Sequence, residues 1–158
     1  MPAFTEFADR VFPGLEKGGF HAAYYRVLEA FARGRIRRLM VTIPPQHGKS
    51  LGSTTLLPAY MLGLVPDLKI AIASYSAALA NRFNKRVQRI MDSALYRALF
   101  PGTSIKRAGE RSDYVRTADM AEVIGCSGEL LSVGREGSLT GNRVDVFILD
   151  GLYKDAME

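Results

Sequence analysis

Three short apolar runs, each bounded by turn-forming residues, constrain this chain more than anything else in it. They are Leu39-Met40-Val41-Thr42-Ile43, the six residues Lys69–Ser74 (KIAIAS), and Val144-Asp145-Val146-Phe147-Ile148-Leu149. A nearly continuous β-favouring run of this length is the pattern of a strand buried on both faces of a parallel sheet. Helical period fills the intervals. Phe4, Phe7, Ala8, Val11 and Phe12 recur at helical spacing until Pro13-Gly14. A second helix spans about 20–33, with Phe20, Ala23, Tyr24, Val27, Leu28 and Phe31 on one face and Gly34 as its C-terminal cap. A third covers 50 to about 62, bent or shortened at Pro58. The longest covers 77 to about 91, with Leu79, Phe83, Val87, Ile90 and Met91 inward; Asp92-Ser93 interrupts it, and a short helix then stops at Pro101-Gly102. Over 103–140 the segments 114–117, 122–126 and 130–133, separated by Gly and Ser, predict small strands or hairpins with a turn at Ser127-Gly128. Strands alternating with helices predict an α/β domain with a mostly parallel sheet.

Length and composition narrow the class further. One domain is expected from 158 residues, a size at which folding buries roughly 70% of the chain's surface. Hydrophobic residues at 47% and charged ones at 23% exclude a disordered or collagen-like chain. Cys126 is the only cysteine and His21 and His47 the only histidines, which excludes an intramolecular disulfide and a Cys- or His-rich metal cluster. No stretch approaches the ~20 apolar residues of a membrane span. Residues 1–10, with Glu6, Asp9 and Arg10, lack the apolar run of a signal peptide. A cytoplasmic protein is expected. The net charge of +5 suits either a polyanion partner or a merely basic surface.

Two features carry chemistry. Gly48-Lys49-Ser50 falls where the first strand passes through a loop (Pro44 to Gly48) into a helix. Phosphate binding needs a turn that exposes backbone N–H groups, a cation for the β/γ-phosphates, a hydroxyl for Mg²⁺ and a helix N-terminus aimed at the anion. All are present in that order. The full pattern wants a glycine where Ile43 stands, and a bare Gly-Lys-Ser/Thr arises by chance in roughly one chain in ten of this length, so an ordinary βα turn is the alternative. Asp150 closes the third apolar run, where P-loop enzymes hold Mg²⁺ through a second ligand and where open α/β sheets gather ligands. The alternative there is an aspartate that starts a turn.

With these residues placed, the chain resembles the N-terminal ATPase part of the large terminase subunit of tailed bacteriophages and prophages. Arg38-Leu-Met-Val-Thr-Ile-Pro-Pro-Gln-His-Gly-Lys-Ser50 resembles its Pro-Pro-x-x-Gly-Lys-Ser phosphate loop, in which proline replaces the usual first-glycine turn. Ser74-Tyr-Ser-Ala-Ala-Leu-Ala80, the Arg-rich helix after it and Tyr96-Arg-Ala-Leu-Phe-Pro101 resemble the segment after the family's second strand. Gly137-Ser-Leu-Thr-Gly141 and the run from Val144 to Asp150 resemble its Gly-rich turn and second nucleotide-binding strand, and Phe20-His21 stands in the place of the adenine-side segment. The four blocks come in the family's order and spacing and cover nearly the whole chain.

The resemblance implies an ASCE-type P-loop NTPase fold in three layers, expected here as a single partial domain over 1–158 that is truncated after the Walker B strand. It implies Mg-ATP held by Pro45, Gln46, His47, Gly48, Lys49 and Ser50, with Ser50 and Asp150 on the metal. Lys49, Asp150 and an arginine finger, Arg143 with Arg135 as its rival, would serve hydrolysis. The family's function is ATP-driven translocation of double-stranded DNA into a capsid. It works as a homo-oligomeric ring at the portal, with a small terminase subunit and a C-terminal nuclease domain. No nuclease carboxylates follow Asp150, and a dilute monomer is expected of this chain alone.

Three positions depart from the family pattern. Gly151 stands where the family has the acidic residue that orients the attacking water, followed by Leu152 where proline is common, and Gln46 replaces a usual basic residue. Asp155 and Glu158 are nearby in sequence, with no geometric reason to substitute. Nucleotide binding is therefore the firmer expectation and turnover the open one. The alternatives are a decayed prophage fragment that binds nucleotide without hydrolysing it, or an unrelated helicase-like or kinase-like ATPase. Elsewhere, Arg82, Lys85, Arg86 and Arg89 stripe one helix as a solvated face or a DNA or subunit contact. Arg33, Arg35, Arg37 and Arg38 read as surface charges, His47 as a loop-shaping or phosphate-edge donor rather than a general base, and Cys126 as a small core residue.

Overall fold

The computed structural model describes residues 1–15 and 18–153. Helix α1 (Phe4–Val11) buries Phe4, Phe7 and Ala8, and α2 (His21–Ala32) buries His21, Tyr24, Tyr25 and Leu28. Pro58 does not break the third helix. It sits in the first turn of α3 (Leu57–Leu64), and the residues just before it, Leu51–Leu56, wind as a π-helix that runs directly into α3. After β1 (Lys69–Ser74) comes α4 (Ala77–Asp92), capped by the Ser76 hydroxyl accepting from the Leu79 N–H at 3.2 Å. The interruption at Asp92-Ser93 is itself a cap. Ser93 accepts from the Tyr96 N–H at 3.1 Å and starts α5 (Ala94–Leu99). Strands β2 (Met120–Glu122), β3 (Glu129–Gly134) and β4 (Val146–Leu149) complete an α/β domain.

The sheet is open, mixed and mostly parallel, in the order β2-β3-β1-β4. β1 pairs parallel with both β3 (Ile70 opposite Leu130) and β4 (Ile70 opposite Val146), while β2 returns antiparallel on β3. Three expectations are corrected. The run 39–43 forms no strand and joins no ladder among the described residues. A ladder needs a neighbour about 4.8 Å away, and a cleft of about 430 Å³ lies between Leu39 and Val41 on one side and β4 on the other. β3 does form the expected hairpin, with β2, but it is also the parallel partner of β1 over its whole length. β4 begins at Val146 and is covered on one face only: Val146 and Ile148 are buried, Phe147 and Leu149 about half exposed. Of the segment 114–117, only Arg116 forms a bridge, to Ala121.

The core is aromatic under α1. Phe4 meets Tyr25 and Tyr60 edge-on at 5.3 and 5.2 Å, and Phe7 meets Phe100 at 5.8 Å. Two of its buried phenols are tied to backbone carbonyls: Tyr60 donates to the Pro2 carbonyl and Tyr96 to the Ala59 carbonyl. This block fixes α2 and α3 against each other, and with them both sides of the loop at 44–50.

Candidate functional site

Pro44 and Pro45 end the run 39–43 and the chain turns sharply. Gln46 has φ +62° and Gly48 φ +79°, with His47 between them. Left-handed residues alternating with ordinary ones are the backbone signature of an anion-binding concavity. Glycine accepts this conformation freely, whereas Gln46, the one non-glycine residue with positive φ among those described, holds it at a cost of about 1–2 kcal/mol. Side chains hold the turn: His47 Nδ1 donates to the Pro45 carbonyl at 2.7 Å. His21 Nε2 donates to the His47 carbonyl at 2.9 Å, and the Tyr24 hydroxyl donates to the Lys49 carbonyl at 2.7 Å. Burial pushes the Tyr24 phenol up to about 12, so it stays a donor at neutral pH.

Asp150 arrives from the far end of the chain. Its N–H donates to the Ala73 carbonyl at 2.9 Å, registering it beside the end of β1, and its Oδ2 accepts from the buried Thr54 hydroxyl at 2.6 Å. Thr54 lies one helical turn after Ser50, so this bond ties the helix behind the loop to the carboxyl end of β4. Gly151 then takes φ +61°, and its carbonyl accepts the Tyr75 N–H at 2.9 Å. Lys49 and Asp150 share the 430 Å³ cleft with Arg37 and Arg38, two arginines expected to be plain surface charges.

For a divalent cation, the donor set is the half-buried Ser50 hydroxyl, which caps no helix N–H, and Asp150 Oδ1, which has no partner among the described residues. Hard oxygens of this kind suit Mg²⁺, which usually combines one or two carboxylates with phosphate oxygens and water. Among the described residues no group of three His, Cys, Asp or Glu side chains could hold a metal unaided.

Arg143 is not brought to this site within one chain. It precedes β4 at the opposite sheet edge, about 20 Å from Asp150 at the rise of an extended chain, and pairs with Asp145 at 3.2 Å. Arg135 follows β3, at the same edge as Asp150, and lies over the Tyr153 ring at 5.2 Å. Arg82, Lys85, Arg86 and Arg89 are exposed on α4 without an ion pair among the described residues. Asp155 and Glu158 lie outside those residues. Cys126 is partly buried against the core.

Sequence reasoning missed Thr54 and the bonds of His21 and Tyr24 to the loop, His21 having been placed only in the adenine-side segment. Thr54 was findable, because four residues from Ser50 it falls on the same helix face. His21 and Tyr24 were not, since their bonds to the loop span 26 and 25 residues. No helix is long and apolar enough to cross a membrane among the described residues. No protein-family model, no curated protein and no solved structure matches the chain.

Proposed function

We propose that the chain is a P-loop domain that binds Mg-ATP on Pro45-Gln46-His47-Gly48-Lys49-Ser50 and Asp150, and that it acts as the ATPase part of a DNA-packaging motor of the large-terminase kind. The observation that carries the nucleotide reading is the Thr54–Asp150 hydrogen bond. It joins the helix that follows the loop to a carboxylate from a strand 96 residues later, so a cation, an anion cradle and an acidic group converge on one sheet edge. In this reading the loop N–H groups and the Lys49 ammonium hold the β/γ-phosphates. Ser50 and Asp150 would hold Mg²⁺, which neutralises phosphate charge. The purine would occupy the apolar pocket of about 600 Å³ beside the loop, between Phe20, Tyr24, Val41 and Pro44.

The motor part of the proposal rests on the four resembling sequence blocks. Double-stranded DNA, a portal, a small terminase subunit and a ring of copies are its implied partners, with an arginine supplied by a neighbour. A second reading, nucleotide binding without turnover, is favoured by Gly151: it offers no carboxylate to orient water, and its backbone conformation resists residues that would.

Calorimetry with a slowly hydrolysed ATP analogue and Mg²⁺ tests the shared core of both readings. Lys49→Ala should lose charge-assisted bonds worth about 1.5–3 kcal/mol, a ten- to hundredfold drop in affinity. Equal affinities in two folded proteins would remove the phosphate-loop assignment. Steady-state hydrolysis by the wild-type chain, measured across protein concentration, separates the motor reading from the binding-only one.

A further inference from the structure

We infer that His21 and Tyr24 on α2 are positioning residues for the anion cradle, holding its N–H groups aimed outward before any ligand arrives. The inference rests on the phosphate-binding reading above and adds the device that shapes the site.

In a planar trans peptide the carbonyl of one residue and the N–H of the next point in opposite directions. The His47 carbonyl shares its peptide plane with the Gly48 N–H, and the Lys49 carbonyl shares its plane with the Ser50 N–H. His21 Nε2 draws the first carbonyl toward α2 at 2.9 Å, and the Tyr24 hydroxyl draws the second at 2.7 Å. Both N–H groups must then face away from α2. They also precede the first backbone bond of the following helix, Gly52 N–H to the Gly48 carbonyl at 3.1 Å, so they belong to the donors a helix start leaves free. Two side chains on one helix face thus orient two donors of the cradle.

Each latch is itself fixed. His21 Nδ1 accepts the Gly18 N–H at 2.6 Å, which places the ring proton on Nε2, the nitrogen facing the His47 carbonyl. The ring is nearly buried and stacks on Phe20 at a centroid distance of 4.0 Å. The Tyr24 ring packs on the backbone at Gly52, where any Cβ would come within 2.7 Å of it, so α2 and the loop helix approach only because residue 52 has no side chain. Gln46, held at φ +62° between the two prolines and the latched His47, is the residue that would relax if the carbonyls were released.

The test compares affinities for inorganic pyrophosphate and for the Mg-bound slowly hydrolysed ATP analogue across variants of the whole chain. Tyr24→Phe and His21→Leu should each weaken both ligands about tenfold and the double variant about a hundredfold, the worth of one or two lost hydrogen bonds. His21→Gln, which keeps a donor at the Nε2 position, should stay within about twofold of wild type. Tyr96→Phe is the control for a purely structural role, because it removes an equivalent buried bond, Tyr96 hydroxyl to the Ala59 carbonyl at 2.6 Å, far from the loop. It should lower the melting temperature as Tyr24→Phe does and leave affinity unchanged. If Tyr24→Phe weakens binding no more than Tyr96→Phe, while Lys49→Ala still lowers affinity ten- to hundredfold, the latch is wrong and the phosphate site stands. If the folded wild-type chain binds neither probe, both are wrong.

Discussion

The two flanks of β1 are built in opposite ways. On the β3 side a buried polar network joins sheet to helix: Asn84 donates to the Leu130 carbonyl at 3.2 Å, and Gln88 donates to Asn84 Oδ1 at 2.7 Å and to the Thr117 carbonyl at 2.8 Å. Arg116 adds a bidentate pair with Asp92, at 2.8 and 2.7 Å, and a bond to Gln88. Every member has a partner, which is the condition under which buried polarity rigidifies a fold. On the β4 side one edge is unpaired, Phe147 and Leu149 are half exposed, and a cleft runs between β4 and the segment 39–43. Lys49 and Asp150 open into that cleft. The packed polar network and the candidate site lie on different flanks of the same strand.

Substitutions that probe each flank should separate by size. Gly134 on β3 has no room for a methyl, since a Cβ there would lie 2.6 Å from the Ala77 backbone nitrogen. Gly134→Ala should therefore force β3 and α4 apart, with a loss of about 3 kcal/mol by denaturant unfolding. A loss under 1 kcal/mol would show that this flank is loosely packed after all. Next in size, Asn84→Ala strands the Leu130 carbonyl and the Gln88 amide and should cost about 2 kcal/mol, seen as a lower urea midpoint at unchanged slope.

The open flank should respond less in stability and more in function. Gly151 has space, its nearest neighbour to a new Cβ being Ser74 Oγ at 4.0 Å, but its φ of +61° makes any side chain cost about 1–2 kcal/mol. Gly151→Glu should lower the melting temperature modestly. In exchange it should raise ATP hydrolysis on the order of 10²–10⁴, the worth of a positioned general base, with little change in nucleotide affinity. A folded, ATP-binding variant that hydrolyses no faster would show that the missing carboxylate is not what limits turnover. Smallest of all, Phe147→Thr on the exposed face of β4 should change stability by no more than about 0.5 kcal/mol. A larger loss in a calorimetric melt would mean that this face is covered in solution.

Much of the fold was legible because its signals are local. The period of Phe4, Phe7 and Ala8, the interruption at Asp92-Ser93 and the short apolar run of β1 each lie within a few positions of the structure they cause. The run 39–43 carried the same local signal as β1 and forms no ladder, because a strand exists only where a partner edge is in reach. Asn84 and Gln88 were invisible for the reverse reason. Polar residues on a helix read as its solvent face unless a distant carbonyl, here Leu130 or Thr117, is there to receive them.

By itself the sequence determined an α/β domain, the turn at Pro44-Pro45, the Gly48-Lys49-Ser50 junction and an aspartate closing a strand. These follow from backbone restrictions of proline and glycine and from apolar periodicity, which act over one or two turns of chain. Only the tertiary structure decided that Asp150 meets Thr54, that His21 and Tyr24 take the carbonyls of His47 and Lys49, and that β1 stands between β3 and β4. Those contacts join residues 25 to 96 positions apart, where loop closure costs nearly the same for many competing pairings. The choice among them falls to packing of the whole core, which no short stretch of sequence encodes.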